Sequence, residues 1–142
     1  MPTRFVIAAF ALALALVSSA AFTQENVVQK RNGLMRMMWN QGWRPVTFMV
    51  RGREPYDQAK VDAGFAKLEE IGRELPPLWP AGTEGTAPNA NFVTLSRAFE
   101  NKADFDAKLA DFNKAVAETK GKATDLDSLK IAFKRVDDAC NA

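Results

Sequence analysis

The sequence predicts an all-α protein, an antiparallel up-down-up-down four-helix bundle preceded by a signal peptide. Three observations predict it. Four stretches repeat apolar residues at steps of three and four, proline and glycine punctuate the gaps between them, and no strand-like alternation of useful length occurs anywhere. Once the leader is removed, about 120 residues remain, the size of one domain with one core. The expected division is 1–21 for the signal peptide and 22–142 for the bundle.

The leader comes first. One basic side chain, Arg4, precedes an unbroken apolar run from Phe5 to Val17, and Ser18, Ser19, Ala20 and Ala21 follow. A basic start, a short apolar core and a small-residue exit form a secretory signal. The apolar run falls short of the ~20 residues that span a bilayer. Cleavage after Ala20 and cleavage after Ala21 fit equally well, and an uncleaved anchor is the alternative reading.

The first helix is expected from about Asn26 to the region of Trp43, with Val28, Met35, Met38 and Trp39 at helical spacing. Pro45 then marks a kink or break. Met35, Met37, Met38 and Trp39 taken alone read as adaptable core filling. The second helix is expected to begin at Tyr56 or Asp57, after Pro55, and to carry Val61, Phe65, Leu68 and Leu75 on one stripe. Asp57 suits the positive end of its dipole. It must stop before Pro76-Pro77, because a residue preceding proline is pushed out of helical geometry.

Pro76 to Asn91 reads as a long loop with four prolines and two glycines, a length that usually serves function. The third helix is clearest from Lys102 to Thr119, with Phe105, Leu109, Phe112 and Val116 in register, and Gly121 ends it. The fourth runs from Asp125 to the end through Leu126, Leu129, Phe133, Val136 and Cys140. Steps of three and four make that a heptad seam. Four such seams suit any bundle, with or without a ligand.

Composition narrows the function. Nineteen Lys and Arg face seventeen Asp and Glu, with no run of like charge, so no nucleic-acid face is expected. Histidine is absent, which removes the commonest metal ligand and the usual general base. No Ser-His-Asp set, Walker loop or zinc spacing appears, so an enzyme is not expected. Cys140 is the one cysteine and cannot close an internal disulfide. It is a free thiol, an intermolecular bridge or an attachment point.

Several motifs then occur in a recognisable order. Helix one reads VVQKRNGLMRMM, with Arg31 four residues before Met35; the next connection reads MVRGREPYDQAKV; helix two leaves through LPPLWPAGTEG; and the last helix reads LKIAFKRVDDACNA. This order resembles the class II cytochromes c, the cytochrome c-prime group and its low-spin relatives, over roughly Val27 to Ala142. The resemblance implies a haem inside the bundle, held by thioethers to a C-x-x-C-H motif near the end of the last helix. The histidine of that motif is the proximal iron ligand.

Cys140 falls at the first cysteine of the motif, Asn141 and Ala142 follow, and the sequence stops there. The favoured expectation is a cytochrome cut at its haem motif, because the family pattern persists to the last residue. The alternative is a haem-free bundle for binding or assembly. The cofactor implied is haem c for a chain completed beyond Ala142, and none covalently held by these residues alone.

The resemblance also assigns residues. Arg31 matches an arginine near the haem propionates, the alternative being a solvated surface arginine. Asn32 would add an amide contact at the haem edge. Met35 matches the distal position, either as a metal ligand to the iron or as a cover over an open site. Glu84 and Ala87 fall in the haem-edge loop; many relatives carry a polar residue at the Ala87 position, so a contact there would come from the backbone. Phe99 stands where a tryptophan often precedes the third helix, and reads as packing. Cys140 would be the thioether anchor, the alternative being a buried cysteine on the seam. The implied function is periplasmic one-electron transfer or small-gas binding. The redox partner is not identified, a homodimer is allowed, and neither nucleic acid nor, after leader cleavage, membrane is an expected partner.

Overall fold

The computed structural model describes residues 26–84, residue 92 and residues 94–142, and among these it contains helices and turns but no strand. The leader lies outside the described residues. Helix α1, residues 26–37, runs without a break into a π-helical segment, Met38–Trp43, and then into α2, Arg44–Val50. The connection 51–57 leads to α3, Gln58–Glu74, and a single 3-10 turn, Pro76–Leu78, follows. A short α4, Arg97–Glu100, precedes α5, Lys102–Thr119, and α6 spans Leu126–Cys140. The four long rods, counting α1 through α2 as one, make an antiparallel bundle.

The expected break at Pro45 does not occur. Proline lacks an N–H and its ring crowds the carbonyl four residues back, so a regular α-helix cannot absorb it without loss. Here the preceding turn has widened. The Arg44 N–H donates to the Trp39 carbonyl, five residues back, and Pro45 sits in the first turn of α2. The helix therefore continues to Val50, about two turns past the expected end.

The other boundaries follow local chemistry. Asp57 caps α3, its carboxylate accepting from the Lys60 N–H at 3.1 Å. Asp125 and Ser128 form a reciprocal capping box at the start of α6. Gly121 follows the last turn of α5 at φ 78°, a left-handed value that glycine adopts without a Cβ penalty. The Tyr56 hydroxyl donates to the Ala123 carbonyl at 3.1 Å, so the PYD entry to α3 is tied to the turn before α6.

The core draws on every rod: Leu34, Met38, Val46 and Met49 from the first, Val61, Phe65, Leu68 and Ile71 from α3, Phe112, Ala115 and Val116 from α5, and Leu129, Phe133 and Val136 from α6. Each fully buried Leu or Val stabilises the fold by about 1.5–3 kcal/mol relative to exposure. Two expected core positions are corrected. Trp39 is 45% exposed because the π turn rotates it off the inward stripe, and Cys140 is exposed while Ala139 takes the buried place at the end of α6. The first helix meets α3 closely at Gly42 and Gly64. A Cβ on Gly64 would lie 2.8 Å from Val46 Cγ2 and 3.1 Å from the Gly42 carbonyl oxygen. Glycine at both places is what lets the rods approach.

Candidate functional site

Arg31 is the least expected member of the interior. It is only 2% exposed, although it lies on a helix whose neighbouring cations face solvent. One terminal nitrogen donates to the Leu78 carbonyl at 3.0 Å and to Thr83 Oγ1 at 3.4 Å, and the other donates to the Thr83 carbonyl at 2.8 Å. The guanidinium lies 4.6 Å from the centroid of Trp79 and 5.6 Å from that of Phe99. The surface alternative for Arg31 is thereby excluded. Burial lowers its pKa and the field of Glu84 opposes that shift, but a guanidinium stays charged at any ordinary pH.

The 78–84 segment wraps this cation. The Thr83 hydroxyl donates to the Pro80 carbonyl at 2.7 Å, and the Glu84 carboxylate accepts from the Gly82 N–H at 3.1 Å. Backbone N–H groups of Glu84 and Gly82, and then Arg31, hold the Glu84 carboxyl below its ordinary range. Trp79 meets Phe105 edge-to-face at 4.6 Å and Phe99 at a tilt at 6.0 Å, which bears out Phe99 as a packing residue, on a short helix that periodicity did not announce. The Trp79 Nε1–H is buried with no hydrogen-bond acceptor among the described residues. A buried donor without a partner is costly, and here it stands beside a cation.

Asn32 donates its side-chain amide to the Phe92 carbonyl at 3.3 Å. Met35 is half-buried and packs against the core cluster. Trp43 meets Phe133 of α6 at 5.0 Å between ring centroids. The two rods are antiparallel, and from Phe133 on to Cys140 is as many residues as from Trp43 back to Arg36, about 10 Å at the helical rise. By that count Cys140 falls opposite Arg36, the neighbour of Met35, on the facing rod. Its pKa is raised by desolvation and by Asp137, so it is a protonated thiol rather than a reactive thiolate. Ala87 lies outside the described residues.

The structure brings Arg31 and Glu84 together around one turn of chain and puts Asn32 at its border. Met35 and Cys140 lie on facing rods, one residue apart by the count from the Trp43–Phe133 contact. Sequence reasoning missed Thr83 and Trp79. The signal for both was present: a threonine between Gly82 and Glu84 and a tryptophan between two prolines are poor solvent-loop residues unless a buried donor or a ring stack claims them.

The family model described as Cytochrome C' matches residues 26–142. Cytochrome c-556 of Rhodopseudomonas palustris is 35% identical over 129 residues, covering 90% of this chain and 86% of that protein. Cytochrome c-555 of Bradyrhizobium diazoefficiens is 32% identical over 127 residues, covering 89% and 85%. Among solved structures, cytochrome c-prime from Rhodopseudomonas palustris superposes with a TM-score of 0.71 at 27% identity, covering 81% of this chain and 89% of that one.

Proposed function

Because this chain belongs to the cytochrome c-prime family, we propose that it is an exported c-type haem protein that transfers single electrons or holds a small gas in the periplasm. Residues 1–21 act as the export leader and 22–142 form the binding domain. What supports this most is the buried Arg31 guanidinium beside a Trp79 N–H that has no acceptor among the described residues, with Met35 and Cys140 on rods that face each other.

The donor chemistry fits a haem at three points and leaves a fourth open. A propionate needs donors, and the unpartnered Trp79 N–H beside the Arg31 guanidinium offers a carboxylate both a hydrogen bond and a charge. The Cys140 thiol is exposed at a helix end, where it can add to a vinyl group and form a thioether. The Met35 thioether is soft and half-buried, suited to the distal face. The proximal imidazole is not supplied by these 142 residues, none of which is histidine.

When bound, the haem supplies a one-electron iron couple and an axial position for a ligand. The chain's own residues do the rest. Arg31 anchors the 78–84 turn that closes one edge; Asn32 and Glu84 border that edge; Met35 ligates or shields the distal side; and the apolar core excludes water. No substrate is turned over.

The test is to express the reading frame, with the bases beyond codon 142 included, in a host that matures c-type cytochromes. A haem-stained band on a denaturing gel and a c-type visible spectrum are expected. A folded, helical, export-processed protein without haem, beside a control cytochrome that stains, would overturn the reading.

A further inference from the structure

The outer face of the first rod carries four arginines that no acid among the described residues pairs with. Residues 26–53 contain Lys30, Arg31, Arg36, Arg44, Arg51 and Arg53 and no acid, whereas 54–142 hold twelve Lys and Arg against sixteen Asp and Glu. Arg31 is buried and Lys30 pairs with Glu74 at 3.4 Å. The other four are exposed, and among the described residues none has an acid within ion-pair distance. The acids elsewhere are largely claimed: Glu69 by Lys120, Asp111 by Arg135, Asp104 by Lys108, Asp138 by Lys134.

Arg36, Arg44 and Phe48 fall along one outward stripe, at steps of eight and four. Arg44 lies 5.1 Å and Arg53 5.6 Å from the Phe48 ring centroid, so two guanidinium groups flank one aromatic face. Trp39, on the same rod, is 45% exposed. From Arg36 to Phe48 is about 18 Å at the helical rise, which fits within an ordinary protein interface of about 800 Å² per partner. Arginine and tryptophan are the side chains that anchor such interfaces.

We propose that this face is a docking surface for a protein partner presenting a carboxylate-rich patch. The inference stands on surface charge and geometry and needs no haem. Planar guanidinium forks match carboxylates two bonds at a time, and their stacking on Phe48 lowers the entropy lost on binding. A membrane surface fits less well, since an interfacial helix buries an apolar face in lipid and this rod turns Leu34, Met38, Val46 and Met49 into its own core. A second copy fits less well too, because a two-fold contact would set arginines against arginines.

The experiment titrates the mature chain, labelled with nitrogen-15, with short poly-L-glutamate at low and at physiological ionic strength. Parallel samples receive vesicles of phosphatidylcholine with phosphatidylglycerol, and sedimentation measures self-association. Shifts should concentrate in residues 36–53 and in the Trp39 indole N–H, weaken steeply with salt, and fall roughly tenfold or more in affinity for Arg36→Glu/Arg44→Glu. Lys130→Glu/Lys134→Glu, the same charge change on α6, should leave binding within about a factor of two, and Arg51→Glu/Arg53→Glu repeats the test if the first pair misfolds. Shifts spread over the lysines of α5 and α6, or equal loss from both double variants, would overturn the proposal. Vesicle binding tighter than polyglutamate binding would overturn it in favour of lipid, and concentration-dependent shifts at 36–53 in the protein alone would overturn it in favour of a second copy.

Discussion

Arg31 and Thr83, fifty-two residues apart, hold each other through the interior: the guanidinium donates to the Thr83 carbonyl at 2.8 Å and to its hydroxyl at 3.4 Å. The bond joins the first helix to the turn that leaves α3, and it fixes the height at which that turn crosses the rod. Two backbone carbonyls and two aromatic rings surround the charge.

Replacing Arg31 by Ala should destabilise the fold by about 2–4 kcal/mol, because two buried carbonyls lose their donor and a packed side chain disappears. Arg31→Lys should cost less but not nothing, since one ammonium cannot reproduce the fork. Urea unfolding measures both. A loss for Arg31→Ala inside about 0.5 kcal/mol would mean that the residue behaves as a surface arginine.

Gly64→Ala should cost about 1–3 kcal/mol by overpacking the crossing of the first rod with α3. The new methyl would meet Val46 Cγ2 at 2.8 Å and the Gly42 carbonyl at 3.1 Å, and backbone cannot step aside as a side chain can. Gly33→Ala, where nothing lies within 4 Å, is the control and should stabilise slightly through helix propensity. Equal effects at the two sites would contradict the close approach.

Acid should loosen the protein in a defined window. The carboxyls of Glu69, Asp111 and Asp125 are held low by hydrogen bonds from Lys120, Arg135 and Ser128, and that of Glu84 by backbone N–H groups. A depressed folded-state pKa stabilises above the unfolded value, near pH 4, and the gain is lost as pH falls through the folded values. The urea midpoint should therefore drop below about pH 4 and stay level above about pH 5. Asp125→Asn, which keeps the cap but cannot titrate, should flatten part of the slope.

In the haem-loaded protein, Met35→Ala should change the distal side and leave attachment intact. If Met35 ligates iron, the reduced parent resists carbon monoxide and the variant binds it rapidly with a high-spin spectrum. If Met35 only shields iron, the parent is already high-spin and the variant simply binds faster. A spectrum and rate unchanged by the substitution would move the distal position elsewhere, with Met38 next to test.

Much of this was written in the residues. The spans of α3, α5 and α6 followed from period and punctuation, and Asp57 and Asp125 were sited where their caps formed, because those signals are local. Trp39 and Cys140 misled because a three-four step leaves two neighbouring positions to choose from, and only packing decides. At the end of α6, Ala139 won the core and Cys140 the surface. The basic first rod escaped notice because a chain-wide charge count averages it against acidic residues further on. Thr83 was hidden for another reason: its partner is fifty-two residues away, and no window spans that distance.

The widened turn at Met38–Trp43 also sets the angular phase of the rod. One residue of an α-helix turns the chain by about 100°, so an added or removed residue normally swings everything beyond it off its face. Here a surplus residue is taken up locally, and Arg31 and Leu34 before the segment and Met38 and Gly42 within it share the inward side with Val46 and Met49 after it. Deleting Asn40 would restore a regular helix and keep that alignment. The same deletion in the regular part of the rod, between Arg31 and Met38, would swing Arg31 away from Thr83. A residue can thus be lost from this exposed turn, and not from the regular helix before it, with both ends of the rod still addressing the same interior.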